Sequence, residues 1–130
     1  MTKLGMKKQG RIFVISAASG SGKTTLTRRL LKECRNLVFS KSITTRPRRK
    51  AERNNSDYIF VSKKEFNRYR RQGRFLEWAN VFGNFYGTPK EFVEKKASQG
   101  KDVVLVIDVQ GAFQVKSKRP DAVLIFILPP

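Results

Sequence analysis

The residues with the most chemical potential are Ala17-Ala18-Ser19-Gly20-Ser21-Gly22-Lys23-Thr24, followed by Thr25. They come directly after the apolar run Ile12-Phe13-Val14-Ile15-Ser16 and open a stretch of helical character that reaches Arg35. A buried strand, a glycine-rich turn and a helix N-terminus together make a phosphate site, because backbone N–H groups converge on the anion and the helix dipole favours negative charge. Lys23 would reach the β- and γ-phosphates of a nucleoside triphosphate, and the Thr24 hydroxyl would help to hold Mg²⁺. The pattern usually begins with glycine. Ala17 stands there instead, so the first backbone angle must be one that a Cβ tolerates. A lysine in the first helical turn opposes the macrodipole unless an anion is present, which favours a phosphate loop over an ordinary solvated turn.

These residues sit in a strongly basic chain. Twenty-eight Lys and Arg against ten Asp and Glu give 130 residues a formal charge of +18. The excess is concentrated between Lys41 and Arg74, where twelve basic residues meet only Glu52, Asp57 and Glu65. Such density suits nucleic acid, a phosphorylated substrate or simple solubility. Histidine is absent, which excludes imidazole catalysis and His metal sites; the single cysteine excludes an intramolecular disulfide and a Cys-cluster zinc site. Cys34 reads as a small buried apolar residue. Met1 to Gly10 is polar and lysine-rich, and no apolar run approaches 18 residues, so a reducing, cytoplasmic setting without membrane contact is expected.

An α/β alternation must position the loop. Strand 11–16 and helix 23–35 lead to a short strand over Leu37–Ser40. Ser42–Ser56 is polar and arginine-rich and carries Pro47, which predicts a loop. Tyr58–Val61 reads as a strand, and Ser62 as the cap of a helix from Lys63 to Gln72 closed by Gly73. Phe75–Val81 and Phe82–Gly87 read as a hairpin with a Gly83-Asn84 turn, and Thr88-Pro89 as the start of a helix ending before Gly100. Val103–Val109 and Ala122–Leu128 are continuous apolar runs, expected to be parallel strands buried on two faces and joined by a helix over 110–116. The order implies a parallel core, with ligands at the carboxyl ends of its strands. It divides the chain into a phosphate-loop core (1–40 and 91–130) and a small antiparallel insert (41–90) that holds a second, phosphate-bearing substrate.

The ordered motifs resemble those of the guanylate kinase family. Beyond the phosphate loop, Phe39–Arg49 is similar to the family's arginine stretch, and Glu52 to Val61 to its following acidic and aromatic block. Phe75-Leu76-Glu77-Trp78-Ala79, Gly83-Asn84-Phe85-Tyr86-Gly87-Thr88 and Ile107-Asp108-Val109-Gln110-Gly111 continue the series in order. The resemblance spans Ile12 to Pro130. It implies a P-loop nucleoside-monophosphate kinase fold, in which a parallel sheet flanked by helices carries a small mixed or antiparallel GMP-binding region.

The same resemblance implies an activity and a set of roles: transfer of the γ-phosphoryl of ATP, bound with Mg²⁺, to GMP, giving GDP and ADP. Positions Arg46, Arg49, Tyr58 and Tyr86 match those that grip the GMP phosphate, a task suited to the planar guanidinium fork. Glu77 matches the glutamate that reads guanine, whose N1–H and 2-amino group require an acceptor. Ser42 and Thr88 match hydroxyl positions around the base. Asp108 matches an acid near the guanine site and the Mg²⁺ region, with helix capping as its plainer role. Lys23, Arg46 and Arg49 are the expected catalytic residues.

Several positions depart from the family pattern. Ala17-Ala18 replaces Gly-Pro in the phosphate loop, Asn55 replaces a loop glycine, and Val106 stands where a second acid is common. Pro47 leaves Arg48 and Arg49 adjacent; spacing favours Arg49 as the phosphate ligand, and Arg48 could take its place. The resemblance also implies a C-terminal lid, a last core strand and a terminal helix beyond Pro130, so a fragment or truncated chain with an exposed apolar core edge is expected. The other readings are a non-catalytic module of the same family binding phosphorylated or acidic partners, and a basic nucleic-acid-binding protein. Sequence-specific nucleic-acid binding is not expected, and nothing in the pattern indicates an oligomeric state.

Overall fold

A computed structural model describes residues 8–17, 23–50, 52 and 57–128, with the side chains of residues 23 and 24 outside the description. Four β-branched and leucine-rich segments form a parallel sheet in the order β2-β7-β1-β8. These are β1 (Ile12–Ala17), β2 (Leu37–Phe39), β7 (Asp102–Val106) and β8 (Val123–Ile127). The register is regular: Val14 lies beside Leu105 on one side and Leu124 on the other. Helices α1 (Lys23–Glu33), α3 (Lys90–Ser98) and α4 (Val109–Lys118) pack against the strands of this sheet. The main core joins Ile12, Val14, Val103 and Leu105 of the strands to Val93 of α3 and to Ala112 and Val115 of α4.

A second sheet has the order β4-β3-β6-β5, built from β3 (Ser42–Thr44), β4 (Tyr58–Phe60), β5 (Phe75–Val81) and β6 (Asn84–Pro89). Its pairing is mixed, since β3 runs parallel to β4 and antiparallel to β6. Side-chain alternation gives it two distinct faces. Ile43, Ile59, Phe75 and Phe85 pack with helix α2 (Lys63–Arg71) through Phe66, which is 1% exposed. Ser42, Tyr58, Glu77 and Tyr86 point to the opposite face, into a cavity. An irregularity in the β5–β6 register between Phe75 and Glu77 accounts for Phe75 and Trp78 facing α2 together.

The ends of α2 follow their residues. The Ser62 hydroxyl accepts the Glu65 N–H at 3.1 Å. At the other end Gly73 takes φ of +67°, and N–H groups of Gly73 and Arg74 return to the carbonyls of Arg70 and Tyr69.

Several elements differ from those the sequence predicts. The stretch 42–56 contains strand β3, too short to stand out among polar residues, where the sequence predicted a loop throughout. The hairpin turn is Phe82-Gly83, not Gly83-Asn84, with φ of +51° and +85°. Strand β6 runs through Thr88 and Pro89, so α3 begins at Lys90. Cys34 is exposed rather than buried, because it falls just past the end of α1. Among the described residues strand β8 lies at the edge of its sheet with Ile125 and Phe126 exposed, where burial on two faces was expected.

Candidate functional site

The carboxyl ends of the core strands open onto a cleft of about 1210 Å³, whose far wall is the polar face of the second sheet. Ser16 and Ala17 of β1, Phe39 of β2 and Ile127 of β8 line the near side. This is where open parallel sheets hold ligands, since the loops leaving the strands diverge there. Backbone of Lys23 and Thr24 begins α1 beside it, and Thr25 is exposed on the first turn. Residues 18–22 of the phosphate loop lie outside the described residues.

On the far wall the arginines are held by their neighbours. The Arg46 guanidinium donates to both carboxylate oxygens of Glu52, at 2.9 and 2.7 Å, and to the Pro47 carbonyl at 3.1 Å. Its guanidinium carbon lies over two rings, 5.1 Å from the Tyr58 centroid and 5.5 Å from that of Phe60. Glu52 also accepts the Arg49 backbone N–H at 2.8 Å. The hydrogen bonds from Arg46, and then that from Arg49, hold the Glu52 carboxyl down at about 2. The same pairing raises the pKa of Arg46 further above its ordinary value. Arg49 lines the cleft, and Arg48 does not figure among its described lining residues.

Deeper in, a cavity of about 140 Å³ is lined by Ser42, Tyr58, Glu77, Tyr86 and Asp108, with Val81, Val106 and Ile107 closing it. Glu77 is 2% exposed and accepts the Thr88 hydroxyl hydrogen at 2.7 Å. Burial, reinforced by the Asp108 charge and only partly offset by Thr88, pushes its pKa up to about 7. Burial also raises that of Tyr58, with Tyr86 adding to the shift. Thr88 is itself 1% exposed, so its hydroxyl acts on the cavity through Glu77. Asp108 caps α4, accepting the Gly111 N–H at 3.1 Å, and also lines both cavity and cleft.

Helix α4 fixes this arrangement by lying along the outer edge of β5. Gln110 donates to the Asn80 carbonyl at 3.4 Å, and Lys118 to the Leu76 carbonyl at 2.7 Å. Between them Gln114 accepts the Trp78 N–H at 3.2 Å and donates to the Trp78 carbonyl at 2.7 Å. Four helical residues rise about 6 Å and two strand residues about 6.8 Å, so every fourth helix position meets every second strand position. The contacts cover an edge that would otherwise present bare backbone groups. They also bring Gly111 against Glu77, close enough that a Cβ at 111 would collide with the carboxylate.

The guanylate kinase family model matches residues 9–130. The chain belongs to the guanylate kinase family. It is 57% identical over 123 residues to the guanylate kinase of Neisseria gonorrhoeae, a match covering 95% of this chain and 60% of that protein. The guanylate kinase of Caldanaerobacter subterraneus subsp. tengcongensis is 50% identical over 127 residues, covering 98% and 62%. Among solved structures, guanylate kinase from Anaplasma phagocytophilum superposes with a TM-score of 0.83 at 41% identity, covering 96% of this chain and 63% of that one. The chain thus spans about 60% of the length of the curated relatives it matches.

The donor set is compatible with the Mg²⁺ that this family's ATP chemistry implies. Asp108 supplies one carboxylate to the cleft, and no three acidic, Cys or His side chains cluster among the described residues. Mg²⁺ suits such a site, since it keeps several waters and is commonly held by one or two protein oxygens plus substrate phosphates. Among the described residues no helix is long and apolar enough to cross a membrane. Glu52, Gly111 and Gln114 were not singled out from sequence as site residues. Glu52 offered a signal, being a lone acid in an arginine stretch; so did Gly111, since glycine in a helix is unfavourable without a packing reason.

Proposed function

We propose that the protein to which these residues belong transfers the γ-phosphoryl of ATP to GMP. The observation carrying this reading is the buried Glu77 carboxylate at the end of a cavity whose mouth holds two tyrosines and two arginines. A carboxylate there accepts from guanine N1–H and the 2-amino group together. Adenine offers no such donor pair and would leave the buried acceptor unsatisfied. Tyr58, Tyr86, Arg46 and Arg49 then bind the phosphate of GMP at the cleft. The three committed hydrogen bonds of Arg46 leave two of its five N–H donors for phosphate.

The donor half is the loop at 17–25, where Lys23 would reach the β- and γ-phosphates and Thr24 and Asp108 would help to hold Mg²⁺. Mg²⁺ would neutralise phosphate charge when bound with ATP. The chain's own residues supply position and positive charge, which carry most of the catalysis in phosphoryl transfer. Ser42 orients the base from the cavity wall. A cytoplasmic protein in which residues 41–90 form the acceptor part and the remainder the donor core belongs to the same reading.

A coupled GDP-formation assay tests it, on these 130 residues and on a chain extended through the downstream reading frame. GMP phosphorylation with strong preference over AMP is expected in the extended chain. Absence of transfer from both would overturn the proposal.

A further inference from the structure

Within residues 41–74 the two faces of the second sheet carry two separate groups of basic residues. Arg46 and Arg49 lie on the cleft side, whereas Lys63 to Arg74 lies across the sheet, over Phe66, Phe75 and Phe85. No α2 residue is among the described lining residues of the cleft or the inner cavity. The phosphate-gripping role therefore does not account for Lys63, Lys64, Arg68, Arg70, Arg71 and Arg74, all of them exposed. The segment contains one carboxylate, Glu65, which approaches Arg68 only to 4.0 Å with both side chains more than half exposed. Such a pair does little to neutralise the face.

Aromatic rings accompany the charge. Arg70 lies 5.3 Å from the centroid of Trp78, which is 37% exposed, and Arg74 lies 4.2 Å from that of Tyr69. Guanidinium planes and an accessible indole beside a row of cations are the means by which proteins hold single-stranded nucleic acid: charge tracks the backbone and flat groups stack on bases. A lipid surface would require apolar side chains beside the cations. Here Phe66 of α2 is buried against the sheet and Trp78 is only partly exposed, which leaves little apolar surface to insert into lipid.

The geometry points to the outer face of α2, with Trp78, as a binding surface for a single-stranded polynucleotide, read without sequence specificity. This inference does not depend on the phosphotransferase reading. The test is fluorescence anisotropy of a labelled mixed-sequence 20-nucleotide RNA with the 130-residue chain. About four phosphate contacts give a log–log salt slope near −3, so affinity should fall about fifty-fold between 50 and 200 mM salt. The variant Lys63→Gln/Lys64→Gln/Arg68→Gln/Arg71→Gln should lose at least thirty-fold and show a slope flattened to near zero, while its GMP binding stays unchanged. Neutralising Lys32, Arg35, Lys95 and Lys101, exposed and outside the α2 segment, in the same way should change RNA affinity less than three-fold. Emission from Trp78, the sole tryptophan, should be quenched by unlabelled RNA.

Equal losses in the two quadruple variants would overturn the proposal, because net charge alone would then explain binding. Binding to duplex RNA or anionic vesicles as tight as to the single strand, without quenching of Trp78, would overturn it as well.

Discussion

Gly111 of α4 abuts the Glu77 carboxylate of β5 so closely that Oε1 occupies the space a Cβ at 111 would need. Glycine inside a helix costs roughly 1 kcal/mol relative to alanine. Here that cost is offset by the approach of the helix to the cavity. Gly111→Ala should therefore leave the Gln114 and Lys118 contacts in place and displace the carboxylate. GMP binding is expected to weaken at least tenfold, with a smaller effect on ATP. Titration calorimetry against both nucleotides checks this; equal losses for the two would contradict it.

The raised pKa of Glu77 has consequences of opposite sign for binding and stability. Guanine recognition needs the ionised form, so with a pKa of about 7 GMP binding should be about tenfold weaker at pH 6 than at pH 8. The GMP phosphate also titrates, but equally in Glu77→Gln, so the difference between the two proteins isolates Glu77. Stability moves the other way. Below pH 4.5 the group is protonated in both folded and unfolded chains; between 4.5 and 7 only the unfolded chain ionises, so stability falls as pH rises. The span of the shift corresponds to about 3 kcal/mol, lost by pH 8 and absent from Glu77→Gln. Urea unfolding of both proteins at pH 5 and 8 measures it.

Glu52 attracts Arg46 and repels phosphate, and the two effects make opposite predictions. The two-pronged bond from Arg46, with Glu52 also holding the Arg49 backbone, makes positioning the larger effect. Glu52→Ala should weaken GMP about tenfold, the scale of one charge-assisted hydrogen bond. Glu52→Gln, which can still accept from Arg46, should stay within about threefold. A gain in GMP affinity for the alanine variant would show that charge relief outweighs position.

The parallel core was legible in the sequence because its strands are unbroken apolar runs such as Val103–Leu105, which have few other uses. Helix α2 was legible at both ends because Ser62 and Gly73 satisfy terminal backbone groups by local chemistry. Strand β3 was not, since three residues between polar neighbours carry no period, and it exists through its pairing with β4 and β6. The candidate site residues were named from motifs, residue by residue. The support for Glu77 was not legible, because the alignment of Gln110, Gln114 and Lys118 with Asn80, Trp78 and Leu76 is a relation between two elements rather than a property of either.

The β5–β6 hairpin tip combines backbone strain with a place on the cleft wall. Phe82 holds φ of +51°, a conformation costly for a bulky side chain, and is fully exposed, so no packing compensates. With Gly83 also at positive φ, the turn has the backbone that Asn-Gly favours. Phe82→Asn should accordingly stabilise the fold by about 1 kcal/mol, a rise of a few degrees in Tm for a domain of this size. Phe82 also lines the cleft, so the same variant examined with GMP and ATP separates strain from contact. Higher Tm with unchanged nucleotide affinity identifies a strained turn residue, whereas higher Tm with weaker binding shows that the strain holds an aromatic ring against a nucleotide.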